Sequence, residues 1–206
     1  MTEAQMTPAT TILVTAIGRL FDNEFATLDG ITISCRAPDG IRYIDESSAL
    51  DCMLFEREAA ELAATGGTDT HALHRALYEA SPDAEAVLSG WSRHLRALLL
   101  EGLPPPAPTS MMKKRGVPDV GAHLVEPGAL AGEGLAASIE KAQALAGRNG
   151  MRHLLLITTE GLVVVAGSPP YEAQSHWHNV EFAARIGCMA IEERAVHAIG
   201  GGGSDA

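Results

Sequence analysis

Two apolar runs, Leu154-Leu-Leu-Ile157 and Leu162-Val-Val-Val165, stand either side of Glu160-Gly161, and this pairing constrains the fold more than any other feature. A short run without polar residues, bounded by a turn signal, reads as a strand inside a core. The Glu-Gly connection is short enough to bring the second run back against the first. The two runs are therefore expected to form paired core strands, and such strands need helices to cover them.

Helical and strand periods alternate along the rest of the chain. Leu13, Ala16, Ile17 and Leu20 fall at helical spacing and predict an N-terminal amphipathic helix. Ile31–Arg36 and Ile41–Ile44 flank Pro38-Asp39-Gly40, a hairpin whose turn glycine permits a positive φ. Leu50–Thr65 leans towards helix. Thr68–Ala80 predicts a helix with Leu73 and Leu77 on one face, stopped by Ser81-Pro82-Asp83. Ala84–Leu88 reads as a short buried strand. Trp91–Leu100 reads as an amphipathic helix ended by Gly102 and the prolines 104–106, and Ala129–Ala146 as a further helix with Gly147 and Gly150 as stop signals. A last helix, Tyr171–Val196, follows Pro169-Pro170. The expected architecture is one α/β domain over residues 1–199, with a mostly antiparallel central sheet covered by helices on both sides. Residues 200–206, GGGGSDA, form a flexible tail.

Charge excludes some functions. The 206 residues carry a formal net charge of −11, so no basic stripe exists to bind a nucleic-acid backbone. Lys113-Lys114-Arg115 is too short to change this and reads as a solvated loop, next to an adaptable Met111-Met112 surface. An acidic surface does not recommend an anionic membrane as partner, and no run approaches about 18 apolar residues. Cys35, Cys52 and Cys188 contain no C-x-x-C pair and read as free thiols. The N-terminus has no basic segment before an apolar run, so a cytoplasmic protein is expected.

The segment His74-Arg-Ala-Leu-Tyr78-Glu-Ala-Ser-Pro82-Asp83-Ala-Glu-Ala-Val87 resembles a run in the class II, metal-dependent aldolases. There, a helix bearing His and Tyr precedes Arg-Pro-Asp and a core strand ending in His-x-His. Leu154–Gly167 is similar to that family's apolar strand, His-Gly, apolar strand. Gly30-Ile-Thr-Ile-Ser34-Cys-Arg36 resembles its Gly-Asn-Ile-Ser-x-Arg strand, and Glu172 and Glu181 fall at acidic positions of its final helix. The ordered blocks cover most of residues 10–195. The family includes fuculose-phosphate and rhamnulose-phosphate aldolases, ribulose-phosphate epimerases, decarboxylases, dehydratases and the adducin head. The resemblance implies an α/β/α fold and a homo-oligomer, usually a tetramer with its cleft at a subunit boundary. It also implies a zinc-type ion on three histidines that stabilises an enediolate, with a Glu as general acid/base.

Laid on that pattern, this chain has replaced those groups. The His-x-His positions are Ser89 and Trp91, the third histidine is Glu160, and the general-base Glu is Thr70. Serine is a poor zinc ligand and an indole offers only a donor, so no metal cofactor is expected. The phosphate-binding positions fall on Asp29-Gly30, Thr32 and Asp45-Glu46-Ser47-Ser48, where carboxylates would repel a sugar phosphate.

Other residues carry competing readings. His71 and His74 lie three apart on one helix, as a rebuilt metal site or as structural histidines. His176 and His178 point roughly 200° apart and do not converge. Glu160 is a pocket carboxylate or a solvated turn residue. Trp91 either plugs the former metal space or packs at a helix start. Asp69 reads as a helix N-cap, and Arg36 is expected to pair with Asp45 and Glu46. His94, one turn after Trp91, either reaches the same cleft or is a lone exposed histidine. Two functions follow. One is a non-catalytic member that binds a small molecule or serves as a scaffold, alone or beside an active paralogue. The other is a metal-independent lyase, decarboxylase or dehydratase acting on a small carbonyl or hydroxy-acid compound, with Glu160, His94 and Asp69 as acid/base groups.

Overall fold

The computed structural model describes residues 31–37, 40–45, 69–114, 116–149 and 153–200. The expected helix around Leu13–Leu20, the segment Leu50–Thr65, the turn residues Pro38 and Asp39, positions Asp29, Gly30, Glu46, Ser47 and Ser48, and the tail beyond Gly200 lie outside the described residues.

Strands β1 (Thr32–Ala37) and β2 (Gly40–Asp45) form the expected hairpin, with Gly40 at φ 138. Helix α1 (Asp69–Ala80) leads into β3 (Ala86–Trp91) and α2 (Arg93–Leu100). A one-turn α3 (Ser110–Lys114), a short β4 (Leu124–Val125) and α4 (Gly132–Asn149) precede β5 (Leu154–Thr158), β6 (Leu162–Gly167) and the long α5 (Pro170–Gly200). The six strands lie in the order β2-β1-β3-β6-β5-β4. Every pairing is antiparallel except β4 with β5. The expected mostly antiparallel sheet is therefore present, and β5 and β6 are its paired core strands.

Strand alternation sends successive side chains to opposite faces, and each face has its own core. Leu88 and Val165 pack with Leu95 of α2 and with Trp177 and Val180 of α5. Val87, Leu156 and Val164 pack with Leu73 and Leu77 of α1 and Ala142 of α4. Helices thus cover both sides. Arg36 ties β1 to the end of α1, donating from Nε to Ala84 O at 2.8 Å and from Nη2 to Tyr78 O at 2.7 Å. A cation at carbonyls near a helix C-terminus is favourable; the expected pairing of Arg36 with Asp45 and Glu46 involves side chains outside the described residues.

Several boundaries differ from the sequence expectation. Strand β3 continues through Ser89 and Gly90 to Trp91, which pairs with Leu162. Helix α2 begins only at Arg93, because Ser92 is extended and its Oγ accepts a hydrogen bond from Leu95 N at 3.2 Å, an N-cap. Trp91 is thus a strand end, not a helix start. Helix α4 starts at Gly132 and not Ala129, since Pro127–Leu130 forms a 3-10 turn closed by the extended Ala131; it then runs on through Gly147. The Lys113-Lys114 segment is helical where a loop was expected, and Met112 enters the core while Met111 stays exposed.

Candidate functional site

The Glu160-Gly161 connection is the tightest point in the site's construction. Gly161 has φ 95, and a Cβ there would stand 2.8 Å from Arg96 Cα. Its carbonyl accepts from Ser92 N at 3.0 Å. The turn between β5 and β6 is thereby pressed against the start of α2. Beside it is a cleft of about 220 Å³ lined by Thr70, Leu73, Trp91, Pro127, Leu130, Ala131, Thr158, Glu160 and Leu162. Three of the residues expected from the resemblance to stand at replaced positions, Thr70, Trp91 and Glu160, therefore share one cleft. Trp91 forms a wall of it, half-buried, with the Arg96 guanidinium 4.9 Å from its ring centroid. The indole does not fill the space.

Ser89 is on the same face of β3 as Trp91 but lies within a buried polar chain. His74 Nε2 is 2.9 Å from Ser89 Oγ, and His74 Nδ1 is 2.7 Å from Ser34 Oγ. Tyr78 OH is 3.1 Å from Ser34 Oγ, and Ser89 Oγ is 3.4 Å from Thr32 O. One assignment satisfies every atom. Tyr78 donates to Ser34, Ser34 to His74 Nδ1, His74 Nε2–H to Ser89, and Ser89 to the Thr32 carbonyl. A neutral imidazole is required for it. Burial pushes the His74 pKa down to about 3, with His71 adding to the effect, and burial likewise raises the Tyr78 phenol. His71 lies with its ring 4.2 Å from that of Tyr43. His71 and His74 are thus used in packing and in this chain of hydroxyls.

A second constellation sits in the helical layer across the sheet. The carboxylate of Glu181 on α5 is fully buried. It accepts hydrogen bonds from Ser92 Oγ on Oε2 and from His94 Nδ1 on Oε1. His94 is 30 % exposed and does not line the Trp91 cleft. Its ring is oriented by a buried acid, a feature sequence reasoning missed. The available signal was the apolar helix face Trp177, Val180, Ala184, on which Glu181 is an intruder needing partners. His176 and His178 diverge as expected: the His176 ring lies tilted against that of His153 with centroids 4.4 Å apart, and His178 meets the edge of Trp177 at 6.0 Å.

No protein-family model and no curated protein sequence matches the chain. Solved structures do. YgbL from Klebsiella pneumoniae, which carries a provisional aldolase/epimerase/decarboxylase assignment, aligns with TM-score 0.56 at 23% identity over 90% of this chain and 89% of that one. The L-fuculose-1-phosphate aldolase of Thermus thermophilus aligns with TM-score 0.57 at 15% identity, covering 95% and 98%. An aldolase II superfamily protein from Pseudomonas syringae gives 0.57 at 17% identity over 90% and 77%. The fold is that of the class II aldolases. Within this class II aldolase fold, the side chains that the sequence resemblance puts at the ligand positions are Ser89, Trp91 and Glu160, and their chemistry does not suit a divalent ion. The Ser89 hydroxyl is sealed between His74 and Thr32 O, Trp91 has no lone pair to give, and the Glu160 side chain is exposed. Among the described residues, no group of three or more His, Cys, Asp or Glu side chains gathers around a common point as a metal would require. Among the described residues no helix is long and apolar enough to cross a membrane. Of the positions expected from the resemblance to form a phosphate loop, only Thr32 is described in full; it is buried and pairs with Asp45 and Ser89. Asp69 is the first residue of α1.

Proposed function

We propose that this chain is a class II aldolase-superfamily member whose divalent-metal centre has been replaced, and that it acts without that metal as a small-molecule-binding or scaffold protein. The observation that carries the reading is the fate of Ser89. At the first ligand position the side chain is turned into a fully buried hydroxyl, spent on His74. Drift at one ligand can be compensated; replacement of all three together with the general-base position means that selection for the metal-dependent reaction has ended. The remaining cleft with Thr70, Trp91 and Glu160 supports ligand binding. The same reading makes the protein cytoplasmic and a homo-oligomer, a tetramer by resemblance, alone or with an active paralogue.

A metal-independent lyase, decarboxylase or dehydratase is the second reading. The His94–Glu181 pair favours it, since an imidazole oriented by a buried carboxylate is a general-base arrangement. Against it, His94 lies apart from the Glu160 cleft. Elemental analysis of purified protein, with thermal-shift titrations of Zn²⁺, Mn²⁺ and Fe²⁺, tests the first reading. The expected result is sub-stoichiometric metal and no saturable stabilisation. Tightly held metal at one ion per chain would refute it.

A further inference from the structure

We infer that the Trp91–Glu160 cleft takes a small apolar amine, bound as its ammonium ion. The inference rests on the proposed absence of a metal from this site and concerns what the emptied cleft recognises. Its walls are apolar, from Leu73, Trp91, Leu130 and Leu162. Among the described residues that line it, Glu160 carries the only formal charge. Of the two lining hydroxyls, that of Thr158 already accepts from Leu162 N at 3.0 Å. A second carboxylate stands at the same turn, where Glu126 Oε2 accepts from Thr159 Oγ1 at 3.4 Å, next to the lining residue Pro127. The Arg96 guanidinium lies 4.9 Å from the Trp91 ring centroid and is not among the residues that line the cleft. A negative mouth on a protein of net charge −11 disfavours anions and concentrates cations.

The indole adds a second reason. Trp91 lines the cleft with Leu73 and Leu162, and a large aromatic side chain offers an apolar surface on which a ligand ring can pack. The volume of about 220 Å³ matches about seven waters at roughly 30 Å³ each. It suits a ligand with one ring or a short chain. An apolar body against leucine and tryptophan, with an ammonium at Glu160, satisfies both the walls and the charge.

The probes are 2-phenylethylamine, 2-phenylethanol and phenylacetate, which share a ring and differ in head-group charge. Full-length protein is first assayed for metal, then titrated calorimetrically with each probe. The amine is expected to bind about tenfold more tightly than the carboxylate, from one attraction gained and one repulsion avoided at a solvent-facing pair. Glu160→Gln, on an exposed turn, should leave the melting temperature unchanged and bring amine and alcohol to equal Kd. Trp91→Leu should weaken both of those probes together. Carboxylate binding as tight as the amine, an amine preference that survives Glu160→Gln, unchanged Kd values in Trp91→Leu, or metal-free protein that binds none of the three probes would each overturn the ligand class. Bound stoichiometric metal would instead overturn the reading of a replaced centre, so the two failures are separable.

Discussion

The buried imidazole of His74 makes a quantitative prediction about acid stability. The ring is fully buried and holds both serines only when neutral, and burial takes its pKa from 6.5 to about 3. In the unfolded chain the same histidine gains a proton as pH falls through 6.5, whereas the native state stays unprotonated until near pH 3. The unfolded state then binds more protons, so stability is intact above 6.5 and declines through the window from 6.5 to about 3. At about 1.4 kcal/mol per pH unit, the loss from this group between pH 7 and pH 5 is about 2 kcal/mol. His74→Gln keeps a donor and an acceptor for Ser34 and Ser89 but removes the titration. It should cost about 1–3 kcal/mol at pH 7 through imperfect hydrogen bonds. Urea unfolding of both proteins at several pH values measures the difference directly. The stability gap should narrow by about 2 kcal/mol on going from pH 7 to pH 5. His123, His176 and His178, whose pKa values are also lowered by burial, contribute equally to both proteins and cancel. Parallel stability curves for the two proteins would refute the assignment of His74 as a buried neutral link.

Two further substitutions test the construction of the site. Gly161→Ala forces a side chain into φ 95 and within 2.8 Å of Arg96 Cα; it should destabilise by about 2–4 kcal/mol, visible as a lowered urea midpoint, while Glu160→Ala beside it should cost little. Ser92→Ala removes the N-cap of α2 and a hydrogen-bond donor to the buried Glu181 carboxylate, leaving His94 to hold it. Its cost should exceed the roughly 1 kcal/mol of a cap alone and reach about 2–4 kcal/mol, measured by thermal melting; a loss no greater than a cap's would show that Glu181 does not depend on Ser92.

Much of the fold is legible because it is local. The apolar runs at Leu154–Ile157 and Leu162–Val165 become β5 and β6, the 81–83 breaker ends α1, and Gly40 opens β2 at φ 138. Where structure and sequence expectation differ, a local cue is outvoted. Trp91 has the spacing of a first residue in an amphipathic helix, but ladder pairing with Leu162 and the cap at Ser92 keep it in the strand. Ala129 has high helix propensity, yet the Pro127 turn claims it for a 3-10 segment.

At the site, residue identities read through the family resemblance assign Ser89, Trp91 and Glu160 to the ligand positions and Thr70 to the general-base position, and the proposed loss of the donor set rests on that assignment. What occupies the space was decided by tertiary structure. His74 reaches Ser34 and Ser89 across 40 and 15 residues, and Glu181 reaches Ser92 and His94 across 89 and 87. Periodicity reports which face of an element is apolar, because neighbours along one strand or helix share that geometry. It carries no information on which buried polar group will meet another from a distant segment. That pairing arises when the sheet order brings β1, β3 and the covering helices together, and it is why Ser89 became a sealed hydroxyl while Trp91, two residues on, became the wall of an open cleft.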